Sequence, residues 1–318
     1  MRSFLFLSSL VLIISTLFAG EKIPVSGGLS NQNFMEFLGE QAVFVKYKPD
    51  TIEILGTSWD REVKATCQAQ NLGLCPPLLW IDQENKSMAF YFLKDAKGYN
   101  RANPKEQQLL CQSLNLLHNQ APQGISFIPT QQIRSELEPF EASDKANTLW
   151  MKEASTLLHR LESKQALFPF EMHPCHLDLW TPNIVCTQEA SSPRLWILDW
   201  EYAADCDPDY DLAVFFILDS FSPSEEEDFL HAYGKPLTQE KHLRMLYMKS
   251  LACLRIASWY ATKSVICDKK DMDPLTWVYL EKAKTLASDL ELALEPSTEP
   301  SNESFPESSL DQEPSTTP

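Results

Sequence analysis

Residues 171–215 contain two short polar blocks within apolar sequence, and their spacing restricts how the chain can fold. The first block, residues 176–183, has the form H-x-D-x-x-x-x-N. The second, Asp-Trp-Glu, begins at Asp199 after the apolar run 195–198. Pro182 keeps the first block from continuing as a regular helix, which predicts a loop. The apolar run predicts a strand that presents Asp199 at its end.

This arrangement is the one that phosphoryl transfer to a hydroxyl group requires. One carboxylate orients the attacking hydroxyl and accepts its proton, while an amide and a separate aspartate hold the Mg²⁺ that bridges the nucleotide phosphates. Asp178 is then the candidate base, and Asn183 and Asp199 are the candidate metal ligands. Each residue alone has an ordinary explanation as a turn residue, a helix cap or a strand-end acid. Together, in this order, they predict a phosphotransferase site.

The same stretch resembles the catalytic core of the aminoglycoside phosphotransferase and choline kinase superfamily. The family pattern runs H-x-D-x-x-x-x-N, I-D-W-E and D-P-x-x-D-L-A, and here the three blocks stand at 176–183, 198–201 and 207–213. The run DWEYA at 199–203 is more similar to the choline, ethanolamine and thiamine kinase branch than to the antibiotic-modifying branch. The resemblance covers roughly residues 23–290. It implies an α+β, protein-kinase-like two-lobe fold with a small β-rich N-lobe and a larger, mainly helical C-lobe.

The resemblance also implies roles for neighbouring residues. His176 would brace the loop rather than take part in the chemistry, and Glu201 would lie near the metal or the substrate. Asp207 and Asp211 stand at a predicted helix start and would support the loop from there. The implied cofactors are ATP and Mg²⁺, and the implied substrate is a small cationic alcohol.

Two glycines in the N-terminal part are candidates for nucleotide binding. Gly27 and Gly28 lie in a turn-rich loop that is similar to the S-G-G-L-T-N loop of choline-kinase-like proteins. Glycines let backbone N–H groups come close to phosphates. A Gly-Gly hairpin turn is the alternative interpretation.

A lysine on a predicted strand is the candidate phosphate ligand. Lys46 lies in the strand predicted at 42–47, and a strand cation held by a helix glutamate reaches the phosphates in kinase-like folds. Arginine is usual at this position in the choline kinase branch. Glu62, in the first turn of the helix predicted at 58–72, is the expected partner, and Lys48 is the alternative cation. The competing explanations are a solvated edge-strand lysine and a glutamate that complements the helix dipole.

Two long amphipathic helices are predicted at 239–265 and 274–294. They carry four aromatic residues of interest, Trp259, Tyr260, Trp277 and Tyr279. In the choline kinase branch, aromatics of this region help to form a box for a quaternary ammonium group through cation–π contacts. Aromatics at helical spacing more often pack in the core, so both interpretations stay open.

The two ends of the chain differ from its middle. Residues 1–20 carry a long apolar run, which is typical of a signal peptide or membrane anchor. Residues 296–318 form an acidic, Pro/Ser-rich tail that cannot bury enough apolar surface to fold. Between them we expect a nucleotide-binding lobe at 21–95 and a catalytic and substrate lobe at 96–295.

The N-terminal segment and a requirement for ATP point to different compartments. The segment indicates membrane association or export, whereas ATP is scarce outside the cytoplasm. An uncleaved anchor with the kinase facing the cytosol and an export signal for action in another cell would both reconcile them. A downstream start is the third explanation, although the next methionine, Met35, lies beyond the glycine loop.

Composition excludes some other functions. The net charge of −17 argues against a nucleic acid partner, because phosphate backbones require a basic surface. The eight cysteines include no C-x-x-C pair and no zinc spacing. The predicted function is therefore Mg·ATP-dependent phosphorylation of a small alcohol, as in choline or ethanolamine kinases. Thiamine or aminoglycoside kinases and a non-catalytic kinase-like binding protein are the alternatives. A protein kinase is disfavoured, because Asp207 follows Asp199 too closely for an activation segment.

Overall fold

The computed structural model describes most of the chain, namely residues 22–25, 31–49, 56–141, 149–189, 192–266 and 273–295. Gly27, Gly28, the N-terminal segment 1–20 and the tail 296–318 lie outside the described residues, so the expectations for them stay predictions. Across the described ranges, no helix is both long enough and apolar enough to cross a membrane.

The N-terminal lobe is built on one antiparallel sheet. Its strands are β1 (Ile23–Pro24), β2 (Gln32–Leu38), β3 (Gln41–Tyr47), β4 (Leu78–Asp82) and β5 (Ser87–Tyr91). They lie in the order β1-β2-β3-β5-β4, so β3 is flanked by β2 and β5. Because side chains alternate across a strand, β3 buries Val43 and Val45 on one face and places Lys46 on the other. The strand predicted at 42–47 is confirmed.

One helix reaches the lysine-bearing side of this sheet. Helix α1 (Trp59–Asn71) agrees with the predicted helix 58–72 to within one residue at each end. Ser58 occupies the N-cap position, although its side chain makes no capping hydrogen bond. Glu62 is only 1% exposed. Its burial means that it does more than complement the helix dipole from solvent.

The C-terminal lobe is mainly helical. Its helices are α2 (Pro104–His118), α3 (Pro129–Glu141), α4 (Leu149–Glu162), α5 (Pro208–Leu218), α6 (Pro223–Tyr233), α7 (Gln239–Ile266) and α8 (Pro274–Leu294). Residues 142–148, between α3 and α4, are outside the described ranges. Helix α5 is buried from Pro208 to Ile217, as expected for a helix that is apolar on every side. Helix α7 packs against α3, α5 and α8.

Two small sheets bring the polar blocks together. Strands β6 (Lys97–Gly98), β8 (Ile184–Glu189) and β9 (Ser192–Ile197) form one sheet, and β7 (His173–Cys175) pairs with β10 (Ala204–Cys206) in the other. The antiparallel register places Ile184, at the start of β8, opposite Ile197, at the end of β9. Asn183 and Leu198 are therefore neighbours, joined by a backbone hydrogen bond of 2.8 Å. The predicted strand before Asp199 is confirmed.

A buried aspartate connects β10 to the loop that precedes α3. Asp205 accepts hydrogen bonds from the backbone N–H groups of Gln123, Gly124 and Ile125, at 2.8, 2.6 and 3.0 Å. Gly124 has a φ of +80°, a conformation that side-chain-bearing residues rarely adopt. The carboxylate thus holds a tight turn that the backbone alone does not stabilise.

We expect Asp205→Ala to lower the free energy of unfolding by about 3 kcal/mol, because three N–H groups lose a charged acceptor. Urea denaturation of the full chain measures this change. Asp228→Ala, at an exposed acid of α6, is the matched control and should leave the midpoint nearly unchanged. Equal midpoints for the two variants would contradict the stabilising role of Asp205.

Candidate active site

Lys46 connects the N-terminal lobe to the second polar block. Its Nζ atom lies 2.5 Å from Glu62 Oε1 and 2.6 Å from Asp199 Oδ1. Burial alone would lower the pKa of Lys46, but the charges of Asp199 and Glu62 outweigh it and raise the pKa above its ordinary value. The amine therefore stays charged between two carboxylates. The predicted pairing of Lys46 with Glu62 is present.

Lys48 forms a second, fully buried part of the same cluster. Its Nζ atom lies 2.9 Å from Glu62 Oε2 and 3.9 Å from Glu201 Oε2. Glu201 also accepts a hydrogen bond of 2.9 Å from Asn31. Burial and the neighbouring charge of Asp199 raise the pKa of Glu201. Glu62 thus divides its two oxygens between two lysines, and Lys48 sits behind Lys46.

His176 ties the loop to the end of β9. The side chain is fully buried. Its Nε2–H donates to the carbonyl oxygen of Leu198 at 2.9 Å, and its Nδ1 accepts from the backbone N–H of Asp178 at 3.3 Å. Burial lowers the pKa of His176, so the ring is neutral and keeps this donor–acceptor pattern. This geometry matches the bracing role expected for His176.

Asp211 supports the loop from the start of α5. Its carboxylate accepts from the backbone N–H groups of His176 and Leu177 at 2.9 and 2.7 Å. His118 Nε2 approaches it at 3.0 Å. Leu177 has a φ of +64°, which is unfavourable for a leucine and has to be held by surrounding contacts. The second acid of the D-P-x-x-D block therefore stabilises the backbone conformation that aims Asp178.

Asp178 and Asn183 face each other across the loop. Asn183 Nδ2 donates to the backbone oxygen of Asp178 at 2.9 Å and to its Oδ2 at 3.1 Å. Residues Thr181–Asn183 form a single 3₁₀ turn, in agreement with the helix-breaking effect expected of Pro182. Withdrawal from solvent and the charge of Asp199 raise the pKa of Asp178 to about 8.

Asp199 and Asn183 offer oxygen atoms suited to a magnesium ion. One carboxylate oxygen of Asp199 is taken by Lys46, and within the described ranges the other accepts no hydrogen bond. The amide N–H₂ of Asn183 is used by Asp178, which leaves its Oδ1 as an acceptor. Burial opposes ionisation of Asp199, but Lys46 lowers its pKa below the ordinary value. Carboxylate and amide oxygens are ligands that Mg²⁺ accepts, so the residues present fit this ion.

These side chains line one cavity of about 630 Å³. The polar members on its wall are Lys46, Glu62, Asp178, Asn183, Asp199, Glu201 and Arg255. Phe44, Phe90, Phe92 and Leu93 contribute an apolar wall from the N-lobe and from the chain after β5. A cavity with convergent polar groups and apolar walls is typical of a small-molecule site.

Three of the four predicted aromatic residues also line the cavity. Tyr260 of α7 stacks on Tyr279 of α8, with ring centroids 6.0 Å apart and planes at 8°. Trp259 lines the cavity too, and its Nε1 donates to Tyr202 Oη at 2.9 Å. Trp277 is 37% exposed and is not among the side chains that line the cavity. The other three stay candidates for cation binding.

The site lies within a region that matches a known family. The sequence profile of the phosphotransferase enzyme family, APH, matches residues 23–245. The chain belongs to this family. The match includes Lys46, Asp178 and Asp199, and it confirms the superfamily indicated by the motifs.

Individual relatives agree with the assignment. Protein LicA of Haemophilus influenzae is 25% identical over 219 residues, which are 65% of this chain and 61% of that protein. The chain thus spans less than two thirds of this relative. Choline kinase LicA from Streptococcus pneumoniae has a TM-score of 0.73 at 22% identity, covering 89% of this chain and 99% of that one. A choline/ethanolamine kinase family protein from Mesorhizobium loti has a TM-score of 0.70 at 20% identity, covering 87% and 92%. These structures confirm the kinase-like two-lobe fold.

Two side chains of the site were not identified by sequence reasoning. Asn31 donates to Glu201 from the position before β2, and although it ends the stretch that resembles the S-G-G-L-T-N loop, that resemblance did not predict this contact. Arg255 had a signal, because it is the one charged residue in the buried apolar stretch 251–261 of α7. A buried cation is unfavourable unless it contacts an acidic side chain, an aromatic ring or a solvent-filled cavity.

We expect Glu62→Gln to lower the free energy of unfolding by about 3 kcal/mol, because Lys46 and Lys48 would stay buried with one carboxylate fewer. Urea denaturation measures the change, and Glu84→Gln, at an exposed turn, is the matched control. If Glu62→Gln unfolds at the same urea concentration as the control, the buried lysines do not depend on Glu62.

Proposed function

We propose that this chain transfers the γ-phosphoryl group of Mg·ATP to the hydroxyl group of a small cationic alcohol, as choline and ethanolamine kinases do. One observation carries the proposal. Lys46, Asp178, Asn183 and Asp199 line a single cavity together with aromatic side chains of α7 and α8. Membership of the phosphotransferase family supports the reaction class.

Asp178 is the proposed base. Its carboxylate would orient the acceptor hydroxyl and take its proton as the bond to phosphorus forms. A base with a pKa near neutrality is better suited to this step than an ordinary aspartate, and the pKa of Asp178 is raised to about 8. Asn183 holds the carboxylate by a hydrogen bond, and His176 positions the backbone beside it.

Asn183 and Asp199 are the proposed Mg²⁺ ligands. When bound, the ion would offset the phosphate charge and orient the transferred group. Lys46 would contact phosphate oxygens while Glu62 holds it from behind. Gly27 and Gly28, which lie outside the described residues, are predicted to contact the phosphates through their backbone.

The acceptor side favours a small amine-bearing alcohol. Trp259, Tyr260 and Tyr279 present aromatic rings, which attract a cation. Choline kinases among the structural relatives support this choice.

We expect Asp178→Asn to reduce kcat by about 10²–10⁴, because the base is lost while the shape of the side chain is kept. Release of ADP by the full chain is measured with Mg·ATP and choline, ethanolamine, thiamine or kanamycin. ADP binding and the thermal midpoint should stay near those of the unmodified chain. Retained turnover in Asp178→Asn would remove Asp178 from the proposed chemistry.

We expect Asp199→Asn to abolish the effect of Mg²⁺ on nucleotide affinity, because a neutral amide is a weaker ligand for a divalent ion. Calorimetric titration with ADP, with and without Mg²⁺, measures the effect. Asp228→Asn serves as the control and should keep the Mg²⁺ dependence. An unchanged Mg²⁺ dependence in Asp199→Asn would assign the metal to other residues.

A further inference from the structure

Arg255 of α7 is a buried cation on the wall of the proposed acceptor site. Its side chain is 12% exposed. Its one ion-pair partner among the described residues is Glu136 of α3, with 3.5 Å between Nε and Oε1, and the charge of Asp178 also raises the pKa of Arg255. That distance is too long for a good hydrogen bond. None of the guanidinium N–H groups makes a hydrogen bond within the part of the chain that the structure describes.

Arg244 shows how the same helix holds a structural arginine. It lies eleven residues before Arg255, which is three turns and therefore the same face. Its guanidinium group lies 2.8 Å from Asp209 and 2.5 Å from Asp207, and it donates to the carbonyl oxygen of Pro169 at 2.9 Å. Arg255 has none of these close contacts, so a purely structural role does not explain it.

The described side chains around Arg255 contact the guanidinium group but accept no hydrogen bond from its N–H groups. The group lies 4.9 Å from the centre of the Tyr202 ring, and this contact stabilises the charge but takes up no in-plane donor. Of the guanidinium nitrogens only Nε is enclosed without a hydrogen bond, and the terminal N–H groups have no acceptor among the described residues, so a ligand in the cavity can accept hydrogen bonds from them. The planar fork of an arginine matches the two oxygens of a carboxylate.

We propose that Arg255 binds a carboxylate group of the acceptor, so that the alcohol phosphorylated is a zwitterion with a hydroxyl, an amine and a carboxylate. This inference rests on the proposed function and specifies its substrate class. The amine would lie against the rings of Tyr260 and Tyr279, and the hydroxyl would meet Asp178. All four of these side chains line the same cavity.

The charge and shape of the Arg255 side chain favour a carboxylate at this one point of the wall, where the acids Glu62, Asp178, Asp199 and Glu201 lie elsewhere on the same cavity. A purely cationic alcohol would be desolvated beside Arg255, and unbalanced like charges in an interface are unfavourable. A phosphate dianion would need more positive charge than one arginine. Of the described residues on the cavity wall, only Arg255 and Lys46 are cations, and Lys46 is held by Glu62 and Asp199.

Two pairs of alcohols that differ by an anionic group test the proposal. L-serine is ethanolamine with a carboxylate, and carnitine is choline with a carboxymethyl group. We expect the carboxylate member of at least one pair to have the higher kcat/KM with the full chain and Mg·ATP. Arg255→Gln should reduce that preference by about tenfold or more, which corresponds to the loss of one charged contact. Calorimetric binding of the same four compounds gives a readout that does not depend on turnover.

Three further variants separate ligand binding from a structural role. Glu136→Gln removes the acid beside Arg255 and should keep or increase the preference for the carboxylate member. A structural pair would instead give both variants the same loss. Arg255→Lys should give an intermediate preference, because charge is kept and the fork is lost. Arg160→Gln, at a half-exposed ion pair of α4, is the control and should change nothing. If Arg255→Gln fails to fold, Glu136→Gln and Arg255→Lys carry the test.

The outcomes distinguish this inference from the proposed function. Phosphorylation of choline or ethanolamine in preference to carnitine and serine, unchanged in Arg255→Gln, would overturn the inference and leave the proposed function intact. A loss of ADP affinity in Arg255→Gln would assign the arginine to the nucleotide and also overturn it. If none of the alcohols in either panel is turned over and ADP does not bind, the proposed function itself fails.

Discussion

The site depends on the ion pairs that Glu62 forms with Lys46 and Lys48. A buried lysine is tolerated only when a carboxylate is near it, and here Lys46 and Lys48 share one. Because Lys46 also reaches Asp199, the same contact joins the N-terminal sheet to the end of β9 in the other lobe. The position of Lys46 relative to Asp199 is therefore set by Glu62 of helix α1.

The loop that carries Asp178 is held by two buried side chains, Asp211 and His176, which form hydrogen bonds with backbone groups. Leu177 and Asp199 both adopt positive φ values, at +64° and +61°, which are unfavourable for these residues. Asp211 bonds the N–H of Leu177, and His176 bonds the carbonyl oxygen that precedes Asp199. These two positions are thus stabilised by buried groups that are not among the side chains lining the cavity. The motif therefore contains polar residues, such as His176 and Asp211, that stabilise the loop and have no part in the proposed chemistry.

Local spacing predicted the elements that carry Asp178, Asn183 and Asp199, and the structure brings these three residues to one cavity. The loop with Asp178 and the strand before Asp199 depend on neighbours in sequence, so their patterns could be interpreted without coordinates. Arg255 could not be placed, because its partners come from distant elements. The sequence left open which of the four aromatics share a site, and Trp277 differs from Tyr279 because two positions on a helix are separated by a rotation of about 200°. One of the pair faces the cavity and the other faces solvent.

Some hydrogen-bond donors and acceptors on the cavity wall have no partner among the described residues, and they indicate which chemical groups of a ligand the cavity can bind. On its wall, Lys46 and Glu62 have close ionic partners, whereas one oxygen of Asp199 and the N–H groups of Arg255 do not. The free oxygen is an acceptor for a metal cation, and the free guanidinium edge is a donor to an anion. Ligands that carry only positive charge would bind the free oxygen of Asp199 but would be repelled by the guanidinium group of Arg255. The cavity wall therefore offers an acceptor to a positive group at Asp199 and donors to a negative group at Arg255, and the proposed zwitterionic alcohol is complementary to both kinds of group.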